Sequence, residues 1–165
     1  MINKLKEWVS IFPDKIAITY QDQTITYGEL FNQISETEKQ NPIIFEKNPM
    51  QQLICFLRGL YQEVCPILCH PSLEATDIVK NQLQCQSRPE IADFGILTSG
   101  TSYHARIIWR TLGSWKDFFE EQARKFKLTA DSHLFCLGSL SFSGNLNMAL
   151  CQLFLCKGCL CFKNQ

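Results

Sequence analysis

A repeated switch of hydrophobic period runs through this chain: short apolar runs of strand length are separated by stretches whose apolar positions recur at helical spacing. Residues 42–45, Pro-Ile-Ile-Phe, read as a strand. Leu53, Ile54, Phe56, Leu57 and Leu60 then repeat with helical spacing over residues 50–61. Residues 64–68, Val-Cys-Pro-Ile-Leu, return as a buried strand. This is one β-α-β unit. Strands alternating with helices of this length predict an α/β fold, a mostly parallel sheet flanked by helices.

The same reading extends in both directions. Residues 16–20 and 23–27 predict a hairpin around Gln21-Asp22. A helix starts near Thr26, with Glu29 completing a capping box and Leu30, Phe31 and Ile34 facing inward. Downstream the pattern predicts a helix over 71–83, a loop at 87–90, and strands at 94–97 and 106–109. An amphipathic helix follows over 114–126, with Trp115, Phe118, Phe119, Ala123 and Phe126 as its inner face. A strand at 134–137, a helix at 145–156 and a strand at 159–162 complete the series.

Composition excludes several classes of function. The 165 residues are 45% apolar and 12% aromatic, enough to bury a core and too apolar for a disordered segment. Sixteen basic residues balance sixteen acidic ones, so no excess charge points to nucleic acid or an anionic membrane surface. Charges in Met1-Ile2-Asn3-Lys4-Leu5-Lys6-Glu7-Trp8 interrupt what a secretory leader would need as its apolar centre. The weakly polar run over 146–162 is broken by Asn147, Gln152 and Lys157 and is too short to span a bilayer. A cytoplasmic protein without a membrane span is expected.

Nine cysteines are an odd count and, without an export signal, predict reduced thiols. Cys65 and Cys69-His70 with Cys156 and Cys159 offer a superficial zinc spacing. However, Cys65 and Cys159 lie in apolar runs where cysteine behaves as a small hydrophobe, so no metal site is expected.

The segment with the most chemistry is Leu97-Thr98-Ser99-Gly100-Thr101-Ser102, directly after the apolar run Phe94-Gly95-Ile96-Leu97. Four hydroxyls, close backbone N–H groups and one residue without a Cβ suit an anion with several oxygens. Neither G-x-x-x-x-G-K-[ST] nor G-x-G-x-x-G occurs, which excludes the P-loop and the dinucleotide fingerprint. An ordinary Ser/Thr/Gly connection between strands is the alternative.

Taken in order, Pro13-Asp14-Lys15-Ile16-Ala17-Ile18, Ile25-Thr26-Tyr27-Gly28-Glu29-Leu30, Val64-Cys65-Pro66-Ile67 and Leu97-Thr98-Ser99-Gly100-Thr101-Ser102 resemble the motifs of the adenylate-forming (AMP-binding) ligases. That family includes acyl-CoA synthetases, peptide-synthetase adenylation domains and luciferases. The resemblance continues through Leu140-Ser141-Phe142-Ser143-Gly144 and Lys157-Gly158-Cys159-Leu160. It implies that residues 1–165 are a partial adenylation domain, the N-terminal subdomain of that fold. It also implies a reaction in which a small carboxylate attacks the α-phosphate of ATP, giving an acyl-adenylate and pyrophosphate. Thr98, Ser99, Gly100, Thr101, Ser102 and Arg106 would bind the β- and γ-phosphates, with Mg2+ bridging their oxygens. Ser141, Phe142, Ser143 and Gly144 would line the substrate pocket.

Three departures qualify what the resemblance implies. The family loop usually continues Gly-x-Pro-Lys-Gly, whereas this chain has Tyr103-His104-Ala105-Arg106-Ile107. Tyr103 stands for a glycine, and Arg106 keeps the lysine's charge as a planar fork. Ser141 stands where amino-acid-activating members carry an acid, which favours an aryl or fatty carboxylate. The family's hinge and lysine-bearing C-terminal domain have no counterpart in these 165 residues. The expectation is therefore a piece that is inactive unless a companion protein completes the fold; a non-catalytic binding module or a truncated remnant is the alternative. An open edge at the last strand, beside an uncovered helix face, belongs to the same expectation.

Overall fold

The computed structural model describes residues 2–73, 81, 87–98 and 106–163. Helix α1 (Ile2–Ile11) buries Leu5 and Trp8 and leads into the hairpin β1 (Ile16–Tyr20) and β2 (Gln23–Thr26). The expected hairpin forms, with Gln21 taking the left-handed conformation (φ 54°) at the turn. Helix α2 (Tyr27–Ile34) begins with the capping box read from the sequence: Glu29 N donates to Thr26 Oγ1 at 3.2 Å and Thr26 N donates to Glu29 Oε2 at 2.8 Å.

Strand β3 (Ile43–Ile44), helix α3 (Pro49–Tyr61) and strand β4 (Ile67–Leu68) form the predicted β-α-β unit. Asn48 caps α3, its Oδ1 accepting from Met50 N and Gln51 N. Both strands are shorter than expected. In β4 the reason is local: Glu63 and Cys65 have φ of 57° and 54°, so residues 64–66 turn off the end of α3 rather than extend. Of the helix expected over 71–83, residues Pro71–Leu73 form a single turn, while 74–80 and 82–86 lie outside the described residues.

Strands β5 (Phe94–Thr98) and β6 (Arg106–Arg110) pair antiparallel with Thr98 opposite Arg106. Gly95 permits this close pairing, because a Cβ there would lie 2.7 Å from Ile107 Cγ2 and 3.1 Å from the Trp109 ring. The helix expected over 114–126 is broken into α4 (Leu112–Lys116) and α5 (Phe119–Phe126). The break keeps Trp115 and Phe119 buried but rotates Phe118 outward, and Phe126 ends the helix beside the left-handed Lys127; both phenylalanines are exposed, contrary to expectation.

Strand β7 (His133–Cys136) is followed by α6 (Ser143–Cys151), which widens into a π-helical turn over Gln152–Cys156 before β8 (Cys159–Phe162). Gln152, completely buried, donates from Nε2 to Ser132 O at 2.7 Å, tying that turn to the start of β7.

The strands form two sheets rather than one, in the orders β2-β1-β8-β7 and β3-β4-β5-β6. Four of the six pairings are parallel, as the α/β reading requires. The last strand is not an open edge: β8 lies between β1 and β7, and all four of its residues are buried. The preceding helix is covered as well, with Leu146, Ala149, Leu150 and Cys151 at 0% exposure. A chain of edge-to-face rings, Phe56–Phe94 at 5.4 Å and Phe94–Trp115 at 4.8 Å, links α3, β5 and α4 in the core.

Candidate functional site

The polar turn between β7 and α6 is built by its own serines and asparagine. Gly138 takes φ 89°, the Ser139 and Ser141 hydroxyls lie 2.9 Å apart, and Ser141 N donates to Ser139 Oγ at 3.1 Å. Asn145 Nδ2 donates to Leu137 O and Ser139 O, closing the turn from the helix side. Leu140, fully buried, anchors it in the core.

Gln52 joins this turn to the second sheet. It lies 1% exposed on α3, donates from Nε2 to Cys69 O at 3.4 Å, and accepts from Leu140 N at Oε1 over 3.1 Å. One side chain thereby fixes the end of β4 against the serine turn. Beyond Cys69, His70 Nδ1 accepts from Ser72 N at 3.2 Å and faces Ser72 Oγ at 2.7 Å, which assigns the remaining ring proton to Nε2 in the neutral imidazole. The His70 ring also meets Phe142 edge-on, with centroids 6.2 Å apart.

These elements enclose a cavity of about 340 Å³, within the range of small-molecule sites. Leu73, Ile96, Leu97, Ile108 and Phe142 supply its apolar walls; His70, Ser72, Arg110, Ser141 and Ser143 supply polar groups. Cys69, adjoining His70, is no nucleophile at neutral pH, because burial pushes its thiol up to about 12.

The residues predicted from sequence divide into three groups. Ser141, Phe142 and Ser143 line the cavity, while Gly144 lies in the first turn of α6 with open space where a Cβ would stand. The backbone of Thr98 ends β5 one residue beyond the cavity-lining Leu97, and the exposed Arg106 starts β6 opposite it. Ser99, Gly100, Thr101 and Ser102, with Tyr103 and His104, lie outside the described residues. Gln52, His70 and Arg110 were not read from the sequence as site residues. Gln52 sits within an apolar helical run, and the other two acquire a role only through the pairing of distant strands.

Two motifs of the resemblance have structural roles. Tyr27 N donates to Lys15 O and Gly28 N to Pro13 O, at 2.8 and 2.9 Å, while Tyr27 OH donates to Gly158 O at 2.9 Å. Burial pushes the Tyr27 phenol well above its ordinary range. The superficial zinc spacing does not assemble: Cys65, Cys69, Cys156 and Cys159 form no common cluster among the described residues.

No family model matches the sequence, and no curated protein matches it. Solved structures do match the fold. The fatty acyl-adenylate ligase from L. pneumophila, in complex with acyl adenylate and pyrophosphate, aligns over 99% of this chain with a TM-score of 0.75 at 12% identity, covering 39% of that protein. O-succinylbenzoate coenzyme A synthetase (MenE) from Bacillus subtilis, in complex with ATP and magnesium, aligns over 96% with a TM-score of 0.74 at 14% identity, covering 56%. VinN in complex with L-aspartate aligns over 99% with a TM-score of 0.67 at 14% identity, covering 57%. The chain thus spans 39 to 57% of the length of these structures. The fold is therefore that of part of an adenylate-forming ligase, the family to which the motifs pointed.

Proposed function

We propose that this chain is part of an ATP-dependent, carboxylate-activating ligase that forms acyl-adenylates. The observation that carries the reading is the cavity at the β5–β6 pair: the hydroxyl-rich connection between Thr98 and Arg106 springs from the same strand whose Ile96 and Leu97 line it. In this reading Thr98, Ser99, Gly100, Thr101, Ser102 and Arg106 hold the β- and γ-phosphates of ATP. Donors fixed around pyrophosphate oxygens stabilise charge that grows there as the bond to the α-phosphate breaks.

The polar groups described around the cavity are hydroxyl, imidazole and guanidinium groups, which suit anionic oxygens. No carboxylate stands among these lining residues, so Mg2+ would be held through triphosphate oxygens and water, in keeping with its preference. The apolar walls and the neutral Ser141 suit an aryl or fatty carboxylate better than an α-amino acid. A companion protein would supply the remainder of the ligase. A second reading, a non-catalytic binding module on the same fold, is favoured by Tyr103 in the position of a family glycine.

Carboxylate-dependent exchange of pyrophosphate into ATP, measured on the protein isolated in its native assembly, tests the proposal. Exchange that is lost in Thr98→Ala with Thr101→Ala is the expected result. Exchange that survives the double substitution contradicts the phosphate assignment, and ATP binding without exchange on any carboxylate favours the binding module.

A further inference from the structure

Cys159 and Cys161 stand two residues apart on β8, so both thiols leave the same face of the sheet. His133 opens β7 and pairs with Cys159 across the parallel ladder. The donor atoms converge: Cys159 Sγ and Cys161 Sγ are 4.0 Å apart, Cys161 Sγ is 3.7 Å from His133 Nδ1, and all three lie within 4.8 Å of one another. Tetrahedral zinc, with Zn–S near 2.3 Å and Zn–N near 2.0–2.1 Å, needs S···S of about 3.8 Å and S···N of about 3.6 Å. The Cys159–Cys161 and Cys161–His133 gaps lie close to these values.

Two further observations separate this cluster from ordinary buried thiols. It is the one group of three or more potential ligands among the described residues, although seven of the eight described cysteines are buried. Thr19 pairs with Cys161 on the neighbouring strand β1, which sets a hydroxyl beside the cluster in the place of the outer-shell partners that orient metal ligands. A disulfide is a poor alternative, because residues i and i+2 of one strand place their Cα atoms about 6.6 Å apart, near the limit of disulfide geometry.

We propose that His133, Cys159 and Cys161 bind a zinc-class divalent ion. Two thiolates and one imidazole suit a borderline-soft cation, and three protein ligands leave the fourth position to water or an added ligand. His133 is exposed at the edge of the sheet, which gives the ion a route in. The ion would tie the edge strand β7 to β8, and binding only the folded chain would raise its stability.

The test is a titration of the full 165-residue chain, reduced and metal-free, with Co(II) as a spectroscopic probe and Zn(II) as competitor. One equivalent of Co(II) is expected to give thiolate-to-cobalt charge-transfer and tetrahedral ligand-field bands that Zn(II) abolishes. Cys159→Ser with Cys161→Ser should remove the bands. His133→Gln, at an exposed position that the core does not need, should weaken binding by at least about tenfold, the loss that even outer-shell partners cause. Cys55→Ser, a half-buried thiol elsewhere, should bind as the parent does. Absence of bands at saturating Co(II), their persistence in the double variant, or parental affinity in His133→Gln overturns the proposal.

Discussion

Cys69, Cys136 and Cys151 hold their protons to unusually high pH. Burial pushes Cys69 and Cys151 up to about 12 and Cys136 up to about 11, with neighbouring thiols adding to the effect at Cys136 and Cys151. An unfolded thiol ionises near pH 8.5, so above that point the unfolded chain loses protons that the folded chain still binds. The resulting stability is complete below about pH 8.5 and declines as pH rises toward 11–12. Each such thiol lowers stability as pH rises through that window, because only the folded chain still binds its proton. Urea unfolding at pH 8, 9 and 10 should show a midpoint that falls between pH 9 and 10; a constant midpoint contradicts it. The packing role of these cysteines was legible from their apolar neighbours. The convergence of His133 with Cys159 and Cys161 was not, because it depends on the β7–β8 register rather than on spacing along the chain.

At the level of elements, local chemistry predicted best where it acts over three or four residues. The capping box at Thr26 and Glu29 forms as read, and β5, β6 and β8 fall within a residue or so of their apolar runs. Thr26→Ala should lower stability by about 1 kcal/mol, read as a reduced urea midpoint at unchanged slope. Adding Glu29→Ala should cost less than it does in the parent, because the two residues satisfy each other's backbone N–H groups; strict additivity would contradict the reciprocal cap. Elements were misjudged where backbone conformation overrides hydrophobic period. Left-handed φ at Glu63 and Cys65 shortens β4, and the break at residues 117–118 turns Phe118 to solvent. The hydroxyls of Ser141 and Ser143 marked their turn in the sequence, whereas Gln52 was hidden in an apolar helix and gains its role only by bridging Cys69 to Leu140.

For the whole molecule, the α/β class follows from alternating periods, but the division into two sheets does not. β1 pairs with β8 some 140 residues later, placing the final strand between β1 and β7 instead of at an edge, and no local signal encodes that pairing. The same long-range closure brings the serine turn before α6 to the ends of β4, β5 and β6 and creates the cavity. In the proposed ligase, ATP sits with its triphosphate at the β5–β6 connection and a carboxylate in that cavity. A crystal structure of the protein in its native assembly, grown with ATP and Mg2+, is the deciding measurement. The β- and γ-phosphates are expected against residues 98–102 and Arg106, beside Ser141 and Arg110; nucleotide bound elsewhere, or none bound at saturating ATP, overturns the proposal.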